Sequence, residues 1–577
     1  MRWVFVGKII KNLMSAVLCI AIIFSTFGIY GFAARKFTVY KAQIVSSKVY
    51  ARSKPDLKSK INKTYYKGNI VEITGQTGKY LKTKYGYIYA SYAKRYNPPA
   101  PKPKDKYVRM LNDTPLMLEP NGNIDERVAV KGKVFKVLEE KGDFYKVKLG
   151  KINGYIPRTN GEILKEDYVN KITLGWNEIN YRFKNEEQYK SSDSYISKSS
   201  YLTGLDAISP TWFSIGGDGS KPETIALMEI GDIEYVKMAH KNGYEVWPRL
   251  YDYDAQRCSI MFKNEDVRKR IIDEIVNFSI KYNLDGINVD IEGIGSIPEN
   301  KDGFTLFVGE LSKRLKEIGL TVSVDVTKIV PSSRYSNFYD RPALAKAADY
   351  LIFMGYDETS MSLKSWGPCA SFKWVESGIK DMIAQGVPAE KLILGVPFYM
   401  TDYAYIDIKE PFVEDTVYIL KDTPIYTEPL KDDSKRIGNS LVSQSFKYVE
   451  LTNDKQWYKI EYKNGTENIT AYVHNDDSVM VRENTLIAGY DKPNIKTVAD
   501  RMKNYQVTFI DDGKVSGQKI IEYTMDNLKH RTWLEDKESM SGRMDMVNKY
   551  GLAGMGGWRL YGETSEIWDV IKLKLKK

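Results

Sequence analysis

Residues 285–292 read Asp-Gly-Ile-Asn-Val-Asp-Ile-Glu, and this octapeptide constrains the fold more than any other stretch of the chain. Ile287, Val289 and Ile291 alternate with Asn288, Asp290 and Glu292. That period of two is the signature of a strand with one apolar and one polar face. Polar side chains aimed into a core cost stability unless they are paired. A parallel barrel accommodates such a strand: its apolar face packs outward against helices, its polar face lines the lumen, and its last residue reaches the C-terminal mouth where barrel enzymes place their chemistry. Inward side chains two residues apart are separated by about 6.5–7 Å, so Asp290 is expected to reach Glu292 and to raise its pKa. The competing reading of the acidic strand is a buried ion cluster with a purely structural role.

The rest of the chain supplies the neighbours that such a strand needs. Apolar stretches at 172–175, 207–210, 245–248, 321–326, 350–356, 392–397 and 554–558 alternate with amphipathic runs such as Glu265–Lys281 and Thr305–Ile318. Together with 286–292 they form eight strands in βα order. The expected fold class is therefore α/β, a (β/α)8 TIM barrel built from residues 166–410 and 483–577.

At 577 residues the chain is too long for one core. Three segments outside the barrel resemble one another. One begins Asp113-Thr114-Pro115-Leu116-Met117-Leu118-Glu119-Pro120, another Asp422-Thr423-Pro424-Ile425-Tyr426-Thr427-Glu428-Pro429, and a looser copy Val49-Tyr50-Ala51-Arg52-Ser53-Lys54-Pro55. Each continues into an alternating strand and closes on a small residue, an aromatic and a β-branched residue: Gly86-Tyr87-Ile88, Gly154-Tyr155-Ile156, Ala471-Tyr472-Val473. This pattern predicts small all-β barrels at 37–96, 107–165 and 411–482, with a Pro/Lys-rich linker at 97–106. The third is expected as an insertion after the seventh barrel strand, on the active-site face. The repeats resemble bacterial SH3-like domains, which commonly bind cell-wall peptide or glycan; the other reading is that they are spacers. For the inserted copy a spacer or lid is favoured.

Arg2, Lys8 and Lys11 precede an apolar run from Leu13 to Ala34, with Arg35 and Lys36 after it. This layout reads as a signal peptide or an uncleaved membrane anchor over 1–36, and in both cases the remaining chain is expected outside the cytoplasm. The net charge of +11 is spread as Lys among Asp and Glu, without a nucleic-acid arm. It suits an anionic polymer such as a bacterial wall, or only keeps the protein soluble. Three scattered histidines and three cysteines without ligand spacing argue against a metal centre or a His-based triad.

On the residues of 285–292 the chain resembles glycoside hydrolase family 18, whose strand-four motif is Asp-Gly-x-Asp-x-Asp-x-Glu. The middle Asp of that motif is Asn288 here. The wall-lytic and spore-cortex branch of the family often tolerates Asn at this place. Met354-Gly355-Tyr356-Asp357 resembles the strand-six Met-x-Tyr-Asp, and Trp558 the strand-eight Trp beneath the cleaved sugar. The resemblance implies Glu292 as acid and base, and Asp290 as the group that orients and stabilises an oxazolinium formed by the substrate's own acetamido carbonyl. Tyr356 would hold the acetamido group and Asp357 would hydrogen-bond the sugar. Met354, which shares the face of Tyr356, and Asn288 are expected with Asp357 and Trp558 to bind the substrate, and Asn288 is expected as well to donate to Asp290 and so commit it to Glu292. The resemblance implies no cofactor and no metal, and the chain is expected to act as a monomer without nucleic acid. The implied partner is an N-acetylglucosamine polymer, peptidoglycan or a chitin-like glycan. A non-catalytic sugar-binding protein on a dead barrel is the reading from another class, and the presence of Glu292 counts against it.

Overall fold

The computed structural model describes residues 37–96, 105–165, 168, 170–178, 202, 204–359, 366–511 and 516–576. The apolar N-terminal run and most of the Pro/Lys-rich linker lie outside the described residues. The chain divides into two compact units, Met1–Pro103 and Lys104–Lys577.

In the second unit eight strands close into a parallel barrel: β1 Ile172–Asn177, β2 Ala207–Gly216, β3 Arg249–Asp252, β4 Gly286–Ile291, β5 Thr321–Val326, β6 Tyr350–Met354, β7 Leu392–Pro397 and β8 Gly554–Trp558. Each pairs with the next, and β1 pairs with both β2 and β8, which completes the ring. The third strand was expected at 245–248. Glu245–Val246 does pair with β2, but Pro248, lacking an N–H, interrupts the ladder, and the strand resumes at Arg249.

The alternation in β4 has the predicted consequence. Ile287, Val289 and Ile291 are fully buried among outer-helix side chains such as Ile271, Ile275, Phe304 and Leu311. A separate cluster of Leu174, Trp176, Ala207, Trp247, Ile352 and Ile393 fills the lumen. Gly286 is required by that filling, because a Cβ there would lie 2.7 Å from Trp247 Cδ1. The helix Glu265–Lys281 forms over the expected residues, with the Asn264 side chain accepting from the N–H groups of Asp266 and Val267. The helix expected at 305–318 starts earlier, at Asn300.

The three repeats share one strand order. In the first unit, Ile61–Tyr66, Lys48–Arg52, Gly86–Tyr89, Tyr80–Thr83 and Gly75–Thr77 form one antiparallel sheet, and Ile70–Ile73, Tyr40–Ile44 and Ala93–Arg95 another. The segment 107–163 repeats this arrangement strand for strand. In the third copy one strand, Ser445–Leu451, runs through both sheets and joins them into a single seven-stranded sheet. That copy lies between β7 and β8, as expected, although it does not leave from the barrel strands themselves. It leaves from a five-stranded antiparallel sheet of Ile487–Asp491, Asp402–Tyr405, Leu528–Trp533, Ile520–Met525 and Thr508–Ile510, which itself lies between β7 and β8. The expected last part of the barrel, 483–577, therefore holds four strands of this sheet and the helix Ile495–Asn504 before β8 begins at Gly554.

The segment 107–163 docks on the N-terminal end of the barrel, the end away from the cleft. Arg127, 1 % exposed, pairs with Asp285 at 2.9 Å, and His240 bridges Asp285 at 2.8 Å and Glu126 at 2.9 Å. Burial pushes the Asp285 carboxyl up, but His240 and Arg127 outweigh it and hold it down at about 2. The first Asp of the octapeptide is therefore an anchor between modules. Cys258 and Cys369 are buried free thiols.

Candidate active site

Glu292 follows β4 at the C-terminal mouth, where its N–H donates to Asp252 O at 3.0 Å. A cleft of about 930 Å³ opens there, lined by Asp290, Glu292, Met354, Tyr356, Asp357 and Trp558 among others. Six of the seven residues singled out in the sequence thus meet in one cavity. The seventh, Asn288, lies beneath it, fully buried, so it does not bind substrate as expected: its side chain is enclosed by the neighbouring strands.

Among the described residues no hydrogen bond or ion pair holds the Glu292 carboxyl. Its pKa is raised to about 8. Burial is the largest cause, the charges of Asp290 and Asp357 add to it, and Arg249 opposes it. The sequence argument credited Asp290 alone; the larger effect is the loss of water around the carboxyl. A carboxyl protonated at neutral pH beside a cleft can donate a proton and later take one back.

Asp290 does not bond to Asn288 as expected. Its partner is Arg249 at the start of β3, a buried ion pair that includes an Nε–Oδ2 hydrogen bond. Arg249 also donates to Tyr253 Oη at 2.6 Å, and its guanidinium lies 5.1 Å from the Trp558 ring centroid. The amide of Asn288 turns the other way: Oδ1 accepts from Trp176 Nε1 at 2.8 Å, while Nδ2 donates to Asp325 Oδ1 at 2.8 Å and to Ser323 Oγ at 3.1 Å. The expectation failed because neighbouring strands offered better-placed acceptors than the residue two places along.

On the opposite wall, burial pushes the Tyr356 hydroxyl well up, with Asp325, Asp290 and Glu292 adding to it, so it stays a hydrogen-bond donor. Asp357 adopts φ +61° and is tied to Tyr399 Oη at 2.7 Å and Lys492 Nζ at 2.6 Å. Trp558 packs on Trp176 with ring centroids 5.7 Å apart and leaves its other surface to the cleft. An indole beside a cleft offers the flat apolar surface that a pyranose C–H face can cover.

The family model for "Glycosyl hydrolases family 18" matches residues 183–563, about two thirds of the chain. The chain belongs to glycosyl hydrolase family 18. Human di-N-acetylchitobiase is 24 % identical over 392 residues, covering 64 % of this chain and 83 % of that protein. Chitinase A1 of Niallia circulans is 28 % identical over 172 residues, 25 % of each chain. The crystal structure of the Bacillus cereus spore cortex-lytic enzyme SleL superposes with a TM-score of 0.49 at 13 % identity, covering 78 % of this chain and 90 % of that one.

Within this family 18 glycosidase, sequence reasoning passed over Arg249, Tyr253, Asp325, Tyr399 and Lys492. Two of these carried a readable signal. Arg249 is a cation directly after the apolar run 245–248, where the sequence places the C-terminal end of a barrel strand. Ser323-Val324-Asp325 repeats the polar–apolar alternation of β4 one strand further on. Tyr399 and Lys492 come from the segments between β7 and β8, 93 positions apart, and only the folded chain brings them to Asp357.

Proposed function

We propose that this glycosidase cleaves N-acetylglucosamine linkages with retention, using the substrate's 2-acetamido group as nucleophile, and that its natural substrate is peptidoglycan. The observation that carries the reading is a solitary carboxyl, Glu292, held at about 8, two residues from an anion locked to Arg249. Glu292 protonates the glycosidic oxygen, and the leaving sugar departs as the acetamido carbonyl oxygen bonds to the anomeric carbon. Asp290 orients the acetamido N–H and offsets the positive charge of the oxazolinium ring. Tyr356 donates to the acetamido oxygen. Glu292, now ionised, takes a proton from the water that opens the ring. The family is an exception to the two-carboxylate scheme, so no protein nucleophile is needed.

The choice of wall glycan rests on charge. Lys328 lines the cleft and hydrogen-bonds Trp374 O at 3.1 Å, yet among the described residues no carboxylate lies within ion-pair distance of it. Its ammonium is also held by Ser377 Oγ and acted on by Asp381 and Glu358 without contact, and a cation in that place fits a glycan that carries carboxylates, as the lactyl and peptide groups of peptidoglycan do, better than neutral chitin. The repeats, read as SH3-like wall binders, and the N-terminal export segment support the same substrate. The likeness to di-N-acetylchitobiase favours the second reading, hydrolysis of short chitin oligosaccharides. Mass spectrometry of products from purified peptidoglycan and from chitin oligomers separates the two. Release of N-acetylglucosamine reducing ends from peptidoglycan at a higher kcat/KM is expected, and faster chitin hydrolysis overturns the substrate assignment. An oligomer whose acetamido groups are replaced by free amines is expected to resist cleavage, and its hydrolysis would rule out substrate assistance.

A further inference from the structure

The strand-four position that carries a carboxylate in the family motif carries an amide here, and the structure shows where a carboxyl has gone instead. In the β4–β5 ladder Asn288 pairs with Ser323 and Val289 with Val324, so the next step along both strands sets Asp290 beside Asp325. Adjacent strands are about 4.8 Å apart, and the alternation turns both side chains to the lumen. Asp325 is 1 % exposed. Burial, and after it the charge of Asp290, push its carboxyl well above the usual range, while Asn288 and Arg249 oppose this and Glu292 adds to it.

The hydrogen bonds decide which oxygen carries the proton. Asn288 Oδ1 is committed to Trp176 Nε1, which is only a donor, so the orientation of the amide is fixed. Asn288 Nδ2 must then donate, and the Asp325 Oδ1 that receives it is an acceptor. That leaves Asp325 Oδ2 for the proton. On the other side, Asp290 Oδ2 is taken by Arg249, whereas Asp290 Oδ1 is buried and, among the described residues, has no hydrogen-bond partner. A buried carboxylate oxygen without a donor costs more than an unsatisfied neutral polar atom.

We propose that Asp325 is a positioning residue for the reaction: it keeps a proton on Oδ2 and donates it to Asp290 Oδ1, so that Asn288 and Asp325 together replace the carboxyl missing from position 288. The inference rests on the reading of Glu292 and Asp290 given above. The Asp290–Asp325 pair then holds one negative charge, balanced by Arg249. Among the described residues, besides Glu292 and Arg249, Tyr253, Tyr339 and Tyr356 are the other titratable groups on which the pair acts, and burial pushes all three hydroxyls up.

The test exploits the fact that asparagine has the shape and donor pattern of a protonated aspartate held in this way. Asp325→Asn is expected to keep kcat/KM within about threefold of the parent. Asp325→Ala, which removes the donor and leaves Asp290 Oδ1 without one, is expected to lose at least about tenfold in kcat/KM. In the infrared difference spectrum of wild type minus Asp325→Asn at neutral pH, the C=O stretch of a protonated carboxylic acid is expected. Loss of activity in Asp325→Asn as deep as in Asp325→Ala would mean that Asp325 works as an anion. Unchanged kcat/KM in Asp325→Ala, or the absence of the acid band, overturns the proposal too. The band is read on wild type and the asparagine variant, so it decides the matter even if the alanine variant does not fold. Glu292→Gln, run alongside, must be inactive; if it is not, the assignment of the acid fails and not that of Asp325.

Discussion

Replacing Glu292 by Gln is expected to make the enzyme more stable while abolishing its activity, and the gain should depend on pH. In the folded protein the carboxyl releases its proton at about 8, against the ordinary 4.5. A carboxyl whose pKa is raised on folding costs nothing below its unfolded value. The cost grows as pH rises from there and levels off above the folded value. At pH 7 the ionised unfolded chain is favoured by about 2.5 log units, or ~3 kcal/mol. The carboxyl borders an open cleft, and solvent screening brings this to ~2 kcal/mol. Glutamine fills the same space with nothing to ionise. Thermal or urea unfolding of the two proteins from about pH 4 to about pH 9 is the assay. Equal stability is expected at the acid end, a gain of ~2 kcal/mol for the variant at pH 7, and a slightly larger one beyond pH 8. Turnover of the variant should fall by at least ~10²-fold at every pH, the usual worth of a general acid. A stability difference that does not change with pH, or a variant less stable than the parent at pH 7, would refute the view that burial holds Glu292 protonated.

Asp290→Asn removes a charge that raises the Glu292 pKa, so the alkaline limb of kcat/KM on an N-acetylglucosamine oligomer should move down from near 8 yet stop well above 4.5, since burial remains. Arg249→Met leaves Asp290 buried without a counter-charge; a loss of about 3–5 kcal/mol in urea unfolding and at least about tenfold in kcat is expected. Arg127→Ala breaks the Asp285 anchor at the far end of the barrel and should cost about 1–3 kcal/mol while leaving kcat/KM on soluble oligomers within about twofold. Deleting residues 37–104 should lower activity on intact walls more than on soluble oligosaccharides, because a tethered module raises local substrate concentration without touching the chemistry; equal losses on both would count against a wall-binding role.

What could be read from the sequence was local in origin. The alternation in 285–292 set which face of β4 would be polar, the βα order of apolar runs set the barrel, and the spacing of Asp290 and Glu292 on one strand set that both would reach the same lumen. Each depends only on the two-residue period of a strand or on the order of elements along the chain. The partners of those carboxylates were decided elsewhere. Arg249 comes to Asp290 from β3, Asp325 to Asn288 from β5, and Lys492 to Asp357 from a segment 135 positions away. A side chain's hydrogen bonds depend on which neighbours strand pairing sets across from it, and register between strands far apart in sequence is not encoded in either strand alone. Hence sequence reading assigned Asn288 to Asp290, its neighbour along the strand, while the closed barrel assigned it to Asp325, its neighbour across the sheet. Burial followed the same rule: the raised pKa of Glu292 comes first from water excluded by elements that converge only once the barrel has closed.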